Sequence, residues 1–205
     1  MLSVLGTHYY VCIPHASIGM KGRIVVASPE SFFTVHRSVS AGWNIVSLPV
    51  DAADHLVTTL FPGAVSRAFA YEGSYTAQTI LSAGAGYWLK FDNGQTAPLI
   101  GFPVVRDTIT ALKGWNLIGS LAIRRPSKSI TSVPSGIVSS PLFGFNGSYS
   151  VADTIEPGFG YWVRLSQEGK LILDTAAGSP APASLIDERL LRDASRLVIR
   201  DAADH

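Results

Sequence analysis

Two segments of this chain carry the same signature in the same order, and that duplication constrains the fold more than any other feature. The first copy opens with Gly42-Trp43-Asn44-Ile45-Val46-Ser47-Leu48 and closes with Gly86-Tyr87-Trp88-Leu89-Lys90; the second opens with Gly114-Trp115-Asn116-Leu117-Ile118 and closes with Gly160-Tyr161-Trp162-Val163-Arg164. All 4 tryptophans fall in these signatures. Gly114 lies 72 residues after Gly42, Gly160 lies 74 after Gly86, and Tyr71 to Tyr75 matches Phe145 to Tyr149 at the same offset of 74. A repeat of that period is one supersecondary unit used twice, each copy short for burying its faces alone.

The units read as strands. Side chains alternate across a strand, so Trp43, Ile45 and Ser47 face one way and Asn44, Val46 and Leu48 the other. Both faces carry apolar groups, which predicts a strand covered on both sides. Asn93-Gly94, directly after Tyr87 to Phe91, is a pair of the type that closes two-residue hairpins. Helix competes only in Asp51 to Leu60, ahead of Pro62-Gly63; the equivalent Arg124 to Val133 contains Pro126 and is limited to one or two turns. The expectation is an all-β chain in which two repeats of about 70 residues pack face to face about a pseudo-twofold axis, as a β-sandwich or flattened barrel of about ten to fourteen strands.

That reading divides the chain into accessory strands in residues 1–31, repeat 1 in 32–104, repeat 2 in 105–174, a Pro/Ala/Ser linker in 175–184 and a strand-bearing segment in 185–205. The first part reads as strands Ser3 to Leu5, His8 to Ile13 and Arg23 to Ala27, and the last as a strand from Arg196 to Arg200. Neither end has a counterpart in the repeat.

Composition narrows the partners. Charged residues make up 15% of the 205 and the net charge is +1, so no basic footprint for nucleic acid exists. No apolar run is long enough for a membrane-spanning helix. The one cysteine, Cys12, has no internal disulfide partner and reads as a small buried hydrophobe. Asp51-Ala52-Ala53-Asp54-His55 recurs as Asp201-Ala202-Ala203-Asp204-His205, but in unmatched contexts, and reads as coincidence rather than metal site. His8, His15 and His36 lack ligand spacing, and no G-x-S-x-G or phosphate-binding loop is present. No catalytic, cofactor-binding or metal-binding residue is assigned, and the chain reads as a non-enzyme.

The residues singled out are the repeat signature: Trp43, Asn44, Tyr87, Trp88, Trp115, Asn116, Tyr161 and Trp162. The first reading places them in the twin cores of a duplicated fold. The second makes the tryptophans a platform for sugar rings, with Asn44 or Asn116 bonding hydroxyls, and requires at least one indole in solvent. Gly84 to Gly86 and Gly158 to Gly160 are expected to supply positive φ or close approach.

Gly-Trp-Asn-[Ile/Leu]-[Val/Ile], followed about forty residues on by Pro-Gly-x-Gly-Tyr-Trp, resembles a repeat of large secreted and cell-surface proteins of bacteria and archaea, some with type IX-like C-terminal sorting regions. Glu156 to Trp162 matches the closing motif in full, whereas Ser82 to Gly86 lacks its proline. Arg196 to His205 is similar to the strand that often follows such repeats, and the chain ends where relatives would continue, as a fragment or processed product would. The resemblance implies an extracellular location and a structural or adhesive role, as in a self-associating surface-layer or filament subunit whose terminal strands pair with a neighbour. The alternative is a carbohydrate-binding module of a secreted glycan-degrading system, with surface glycans as partners.

Overall fold

A computed structural model of the chain describes residues 6–11 and 21–26 by their backbone path and residues 32–175 in full. β1 (Gly6–Val11) and β2 (Lys21–Val26) pair antiparallel as a two-stranded sheet and belong to a unit distinct from Phe32–Pro180. The expectations for Ser3 to Leu5, Cys12, the linker after Thr175 and the Arg196 to Arg200 strand lie outside the described residues.

The first repeat runs β3 (Phe33–Val39), β4 (Gly42–Ser47), β5 (Val50–Ala52), α1 (Val57–Leu60), β6 (Ala68–Tyr71), β7 (Tyr75–Gln78), β8 (Gly86–Phe91) and β9 (Gln95–Pro103). The second runs β10 (Arg106–Ala111), β11 (Gly114–Ile118), β12 (Arg125–Pro126), a 3-10 turn at Ser127–Ser129, β13 (Thr131–Val133), β14 (Phe143–Phe145), β15 (Tyr149–Val151), β16 (Thr154–Ile155), β17 (Tyr161–Leu165) and β18 (Gly169–Asp174). From β3 onward that is 16 strands, more than expected because short bridging strands such as β12 and β16 add to the main ones. Among the described residues the fold is all-β, the sheets are antiparallel, and none closes into a barrel.

Sheet order repeats with the sequence. β3-β9-β5 and β4-β8-β6-β7 form the sheets of the first repeat; β10-β18-β13 and β11-β17-β14-β15 form those of the second. In each, the Gly-Trp-Asn strand pairs with the Gly-Tyr-Trp strand, as Gly42↔Phe91 through Ser47↔Gly86 and Gly114↔Leu165 through Ile118↔Tyr161. The chain changes sheets after β8, so Asp92-Asn93-Gly94 is not the hairpin turn it was expected to be: β8 pairs with β4 and β6, while β9 pairs with β3 and β5. The turn residues suit a reversal, but tertiary pairing sends the next strand to the opposite layer.

Each repeat has a hydrophobic cluster of its own. Val35, Val46, Leu48, Phe61, Leu81, Leu89 and Leu99 pack together in the first; Ile118, Ile137, Leu142, Val163, Leu165 and Leu171 in the second. A third cluster, Ile45, Leu117 and Trp162 with Tyr71, Trp88, Phe143 and Phe145 against it, joins the two. The first two clusters bury the faces that carry Val46 and Ile118; the third takes the opposite face of the same strands.

Backbone contact between the repeats is reciprocal. The Ser47 amide donates to the Gly158 carbonyl at 2.9 Å, and the Gly119 amide, 72 residues after Ser47, donates to the Gly84 carbonyl at 2.8 Å. Isolated bridges Val46↔Phe159 and Ala85↔Ile118 repeat the relation. Glycine makes this approach sterically possible. A methyl group on Gly86 would lie 2.7 Å from the Ile118 carbonyl oxygen, and one on Gly160 would lie 2.4 Å from Ile45 Cγ2 and 3.1 Å from Gly86 Cα. Between them the Ser47 and Ser120 hydroxyls hydrogen-bond at 2.9 Å, both fully buried, and Ser120 Oγ accepts the Gly158 amide at 2.8 Å.

Two outcomes test this seam. Gly86→Ala is expected to lower stability by about 2–3 kcal/mol in urea denaturation, because its methyl meets backbone rather than a movable side chain. Gly144→Ala, whose methyl would find its nearest neighbour at an ordinary 3.5 Å, is expected to change stability by under about 1 kcal/mol. Burial also pushes the Tyr161 phenol above its ordinary range, with the amide bond from Glu156 offsetting part of the rise. A phenol that keeps its proton in the folded state while the unfolded chain loses it adds stability below the ordinary value of about 10, and that stability is lost as pH rises through the folded value. Urea midpoints measured between about pH 9 and 11 should therefore fall less steeply for Tyr161→Phe than for the unmodified chain.

Candidate functional site

The signature residues divide their work. Gly42 and Gly114 hold φ of +91° and +96°, where nothing crowds a side chain, so the left-handed backbone alone selects glycine. The asparagine two residues on staples that turn. Asn44 Nδ2 donates to the Ser40 and Gly42 carbonyls at 2.8 and 3.1 Å while its Oδ1 accepts the Ser40 amide at 3.0 Å. Asn116 repeats this with Leu112 and Gly114 at 2.8, 3.0 and 2.8 Å. Both are buried, and their amide groups are committed to backbone rather than presented to a ligand.

The tyrosines fasten the loops that precede them. The Ser82 amide donates to the Tyr87 hydroxyl at 2.9 Å and the Glu156 amide to the Tyr161 hydroxyl at 2.8 Å, both rings lying in the repeat cores. Core placement thus holds for Tyr87, Tyr161, Asn44 and Asn116. It does not hold for the tryptophans as a set: Trp43 and Trp115 are each 43% exposed, Trp88 is half-buried, and only Trp162 is buried at 8%. β4 and β11 are buried from Asn44 and Asn116 onward, whereas the indole that precedes each is exposed.

These indoles are the outer members of two edge-to-face chains. Trp43 meets Phe69 at 6.0 Å and Trp88 at 6.3 Å, and Trp88 meets Phe145 of the other repeat at 4.8 Å and Tyr149 at 6.4 Å. Trp115 meets Phe143 at 5.9 Å and Trp162 at 6.4 Å, and Trp162 meets Tyr71 of the other repeat at 4.9 Å. Tyr71–Tyr75 and Phe145–Tyr149 each stand at 5.2 Å and finish the chains. Each hairpin, β6–β7 or β14–β15, therefore leans its aromatics across onto the partner repeat's Gly-Tyr-Trp strand.

Two open hollows result. One, of about 470 Å³, is lined by Tyr71, Tyr75, Trp115, Phe143, Tyr149 and Trp162; the other, of about 430 Å³, by Trp43, Phe69, Tyr75, Trp88 and Phe145. Tyr75 belongs to both, so they form one aromatic strip. Among the described residues no charged side chain lines either hollow. The polar groups available are phenol hydroxyls and indole N–H groups, among them the buried Nε1 of Trp162. Partial burial, then the neighbouring Tyr75, raise the Tyr149 phenol above its ordinary range while the Trp162 indole pulls it down, so this phenol keeps its proton at neutral pH.

Other candidates are placed elsewhere. His55 Nε2 lies 3.4 Å from Asp51 as an i,i+4 contact, and Asp54 accepts the Leu56 amide and the Thr59 hydroxyl at 2.9 and 2.6 Å, fastening α1. Among the described residues no group of three or more His, Cys, Asp or Glu is placed to hold a metal ion. His36 is exposed on β3, and the Asp201 to His205 motif lies outside the described residues. No described helix is long and apolar enough to cross a membrane.

Alternation in the sequence separated the two faces of β4 and β11 but carried no sign that Phe69, Tyr71, Tyr75, Phe143, Phe145 and Tyr149 belong with the tryptophans. The matched aromatics at the offset of 74 were the available signal. In comparisons with known proteins, no family model, no curated protein and no solved structure matches this chain.

Proposed function

We propose that the chain is a binding module of a secreted or cell-surface protein, and that the aromatic strip stacks on the faces of neutral sugars. The observation that carries this is the pair of open, uncharged hollows, each flanked by an exposed tryptophan. Flat rings in solvent match the C–H faces of pyranoses, and the nearby hydroxyl and indole groups supply hydrogen bonds at the ring edge. Large exposed apolar patches mark binding surfaces rather than idle ones. Neutral glycans fit better than acidic ones, since no cation lines the strip.

The extracellular and adhesive parts of the proposal rest on the Gly-Trp-Asn…Gly-Tyr-Trp resemblance. The self-association reading, with terminal strands pairing between subunits, draws on the two-stranded β1–β2 hairpin alone among the described residues. The tandem repeats, read as a pseudo-twofold duplication, would give the module two equivalent sugar subsites.

Intrinsic fluorescence titration against a panel of neutral polysaccharides tests the proposal. Trp43→Ala and Trp115→Ala should each weaken binding roughly tenfold, with melting temperature little changed because both indoles are half in solvent. An emission spectrum and retention time unmoved by every polysaccharide would overturn it. Concentration-dependent dimerisation that buries both indoles would overturn it in favour of a protein interface.

A further inference from the structure

The two sides of the seam are alike in backbone and unlike in what fills them. On one side Arg37, 3% exposed on the core-facing side of β3, lays its guanidinium over the Phe159 ring, 3.5 Å from Cζ to centroid. Its Nε donates to the Gly158 carbonyl at 3.0 Å and its Nη2 to the Ile45 carbonyl at 3.1 Å, with Nη1 donating to Ser38. The stem passes over Gly158, where an added methyl would find Arg37 Cδ at 3.1 Å. Desolvation lowers the Arg37 pKa to about 10, and among the described residues no carboxylate pairs with it. Backbone carbonyls and a ring face hold this cation.

At the repeat offsets of 72 and 74 the same positions on the other side are Ile109 for Arg37, Ala85 for Phe159, Gly84 for Gly158 and Leu117 for Ile45. Both large side chains give way to smaller ones, and a cleft of about 470 Å³ stands there, lined by Ile109, Ala85, Gly84 and Leu117 among others. The Gly84 carbonyl accepts the Gly119 amide just as Gly158 accepts that of Ser47, so the acceptor that Arg37 uses on one side is kept on the other.

A carboxylate has been added. Asp107 lines the cleft; its Oδ1 accepts the Thr108 amide at 2.7 Å, while its Oδ2 is buried with no hydrogen-bond partner. Glu72 lines the same cleft, and no lysine or arginine does. A buried carboxylate oxygen without a donor is costly, and the cost is relieved by a cation that brings N–H groups. Guanidinium is the group whose shape this backbone already accommodates on the Arg37 side, and carboxylates bind it through paired, charge-assisted bonds.

We propose that this cleft is a socket for the guanidinium of an arginine side chain presented by another molecule, with the Asp107 carboxylate as its counter-charge. The cleft shares Tyr71 with the aromatic strip but takes a different ligand, since none of the residues lining the strip is a carboxylate. Amide chemical-shift titration with Nα-acetyl-arginine methylamide tests it, with the citrulline analogue as neutral isostere. The expected result is a saturable shift at Gly84, Ala85 and Thr108, at least about tenfold weaker with citrulline and about tenfold weaker in Asp107→Asn. Ile109→Arg should fill the socket from within and abolish the shifts, and a rise in melting temperature would report that filling. Equal response to citrulline, shifts confined to the amides around Trp43 and Trp115, or no shift at tens of millimolar ligand would each overturn the assignment.

Discussion

The two repeats bring backbone against backbone at the seam where β8 and β17 begin, and the remaining features follow from it. Gly86 and Gly160 present no Cβ, so each strand lies against the other repeat's Gly-Trp-Asn strand at distances no side chain permits. The Ser47–Gly158 and Gly119–Gly84 bonds fix the register, and the buried Ser47–Ser120 pair satisfies hydroxyls that would otherwise be stranded in an apolar layer. With that register, the two four-stranded sheets share the Ile45–Leu117–Trp162 cluster. Hairpins β6–β7 and β14–β15 then fall across the neighbouring repeat, so each aromatic chain draws residues from both repeats. The strip is a consequence of the seam rather than a separate construction.

Seen this way, a short signature encodes three separate tasks. Glycine supplies the left-handed bend, asparagine closes it by three bonds to backbone, and tryptophan is left half in solvent. In the closing motif glycine permits contact, tyrosine ties down its own preceding loop, and tryptophan supplies the inner ring of the strip. The polar residue that looked available for ligands, Asn44 or Asn116, is consumed by the turn. The side chain that looked most suited to a core, Trp43 or Trp115, is the one left in solvent.

Much of this was legible in the chain. The offsets of 72 and 74 revealed the repeat, and β-branched strands with interspersed turns revealed the all-β class, because both are local properties of sequence. Sheet membership was not legible: the Asn93-Gly94 turn has hairpin chemistry, yet the partners of β9 are β3 and β5, chosen by tertiary packing. Alternation placed Trp43 on the same face as Ile45 correctly. It could not show that Ile45 is buried against the opposing repeat while Trp43 stays exposed. Arg37 was invisible as a seam residue, since it sits on a core-facing position and its Gly158 partner is 121 residues away.

If the seam governs the structure, its amides must be as protected as the cores. Native-state hydrogen exchange under increasing denaturant measures this directly at Ser47 and Gly119. Both amides are expected to exchange only through global unfolding, with one opening free energy shared by the cores of the two repeats. Exchange of Ser47 or Gly119 at a lower free energy than Val46 and Val163, with the repeats opening independently, would contradict the account.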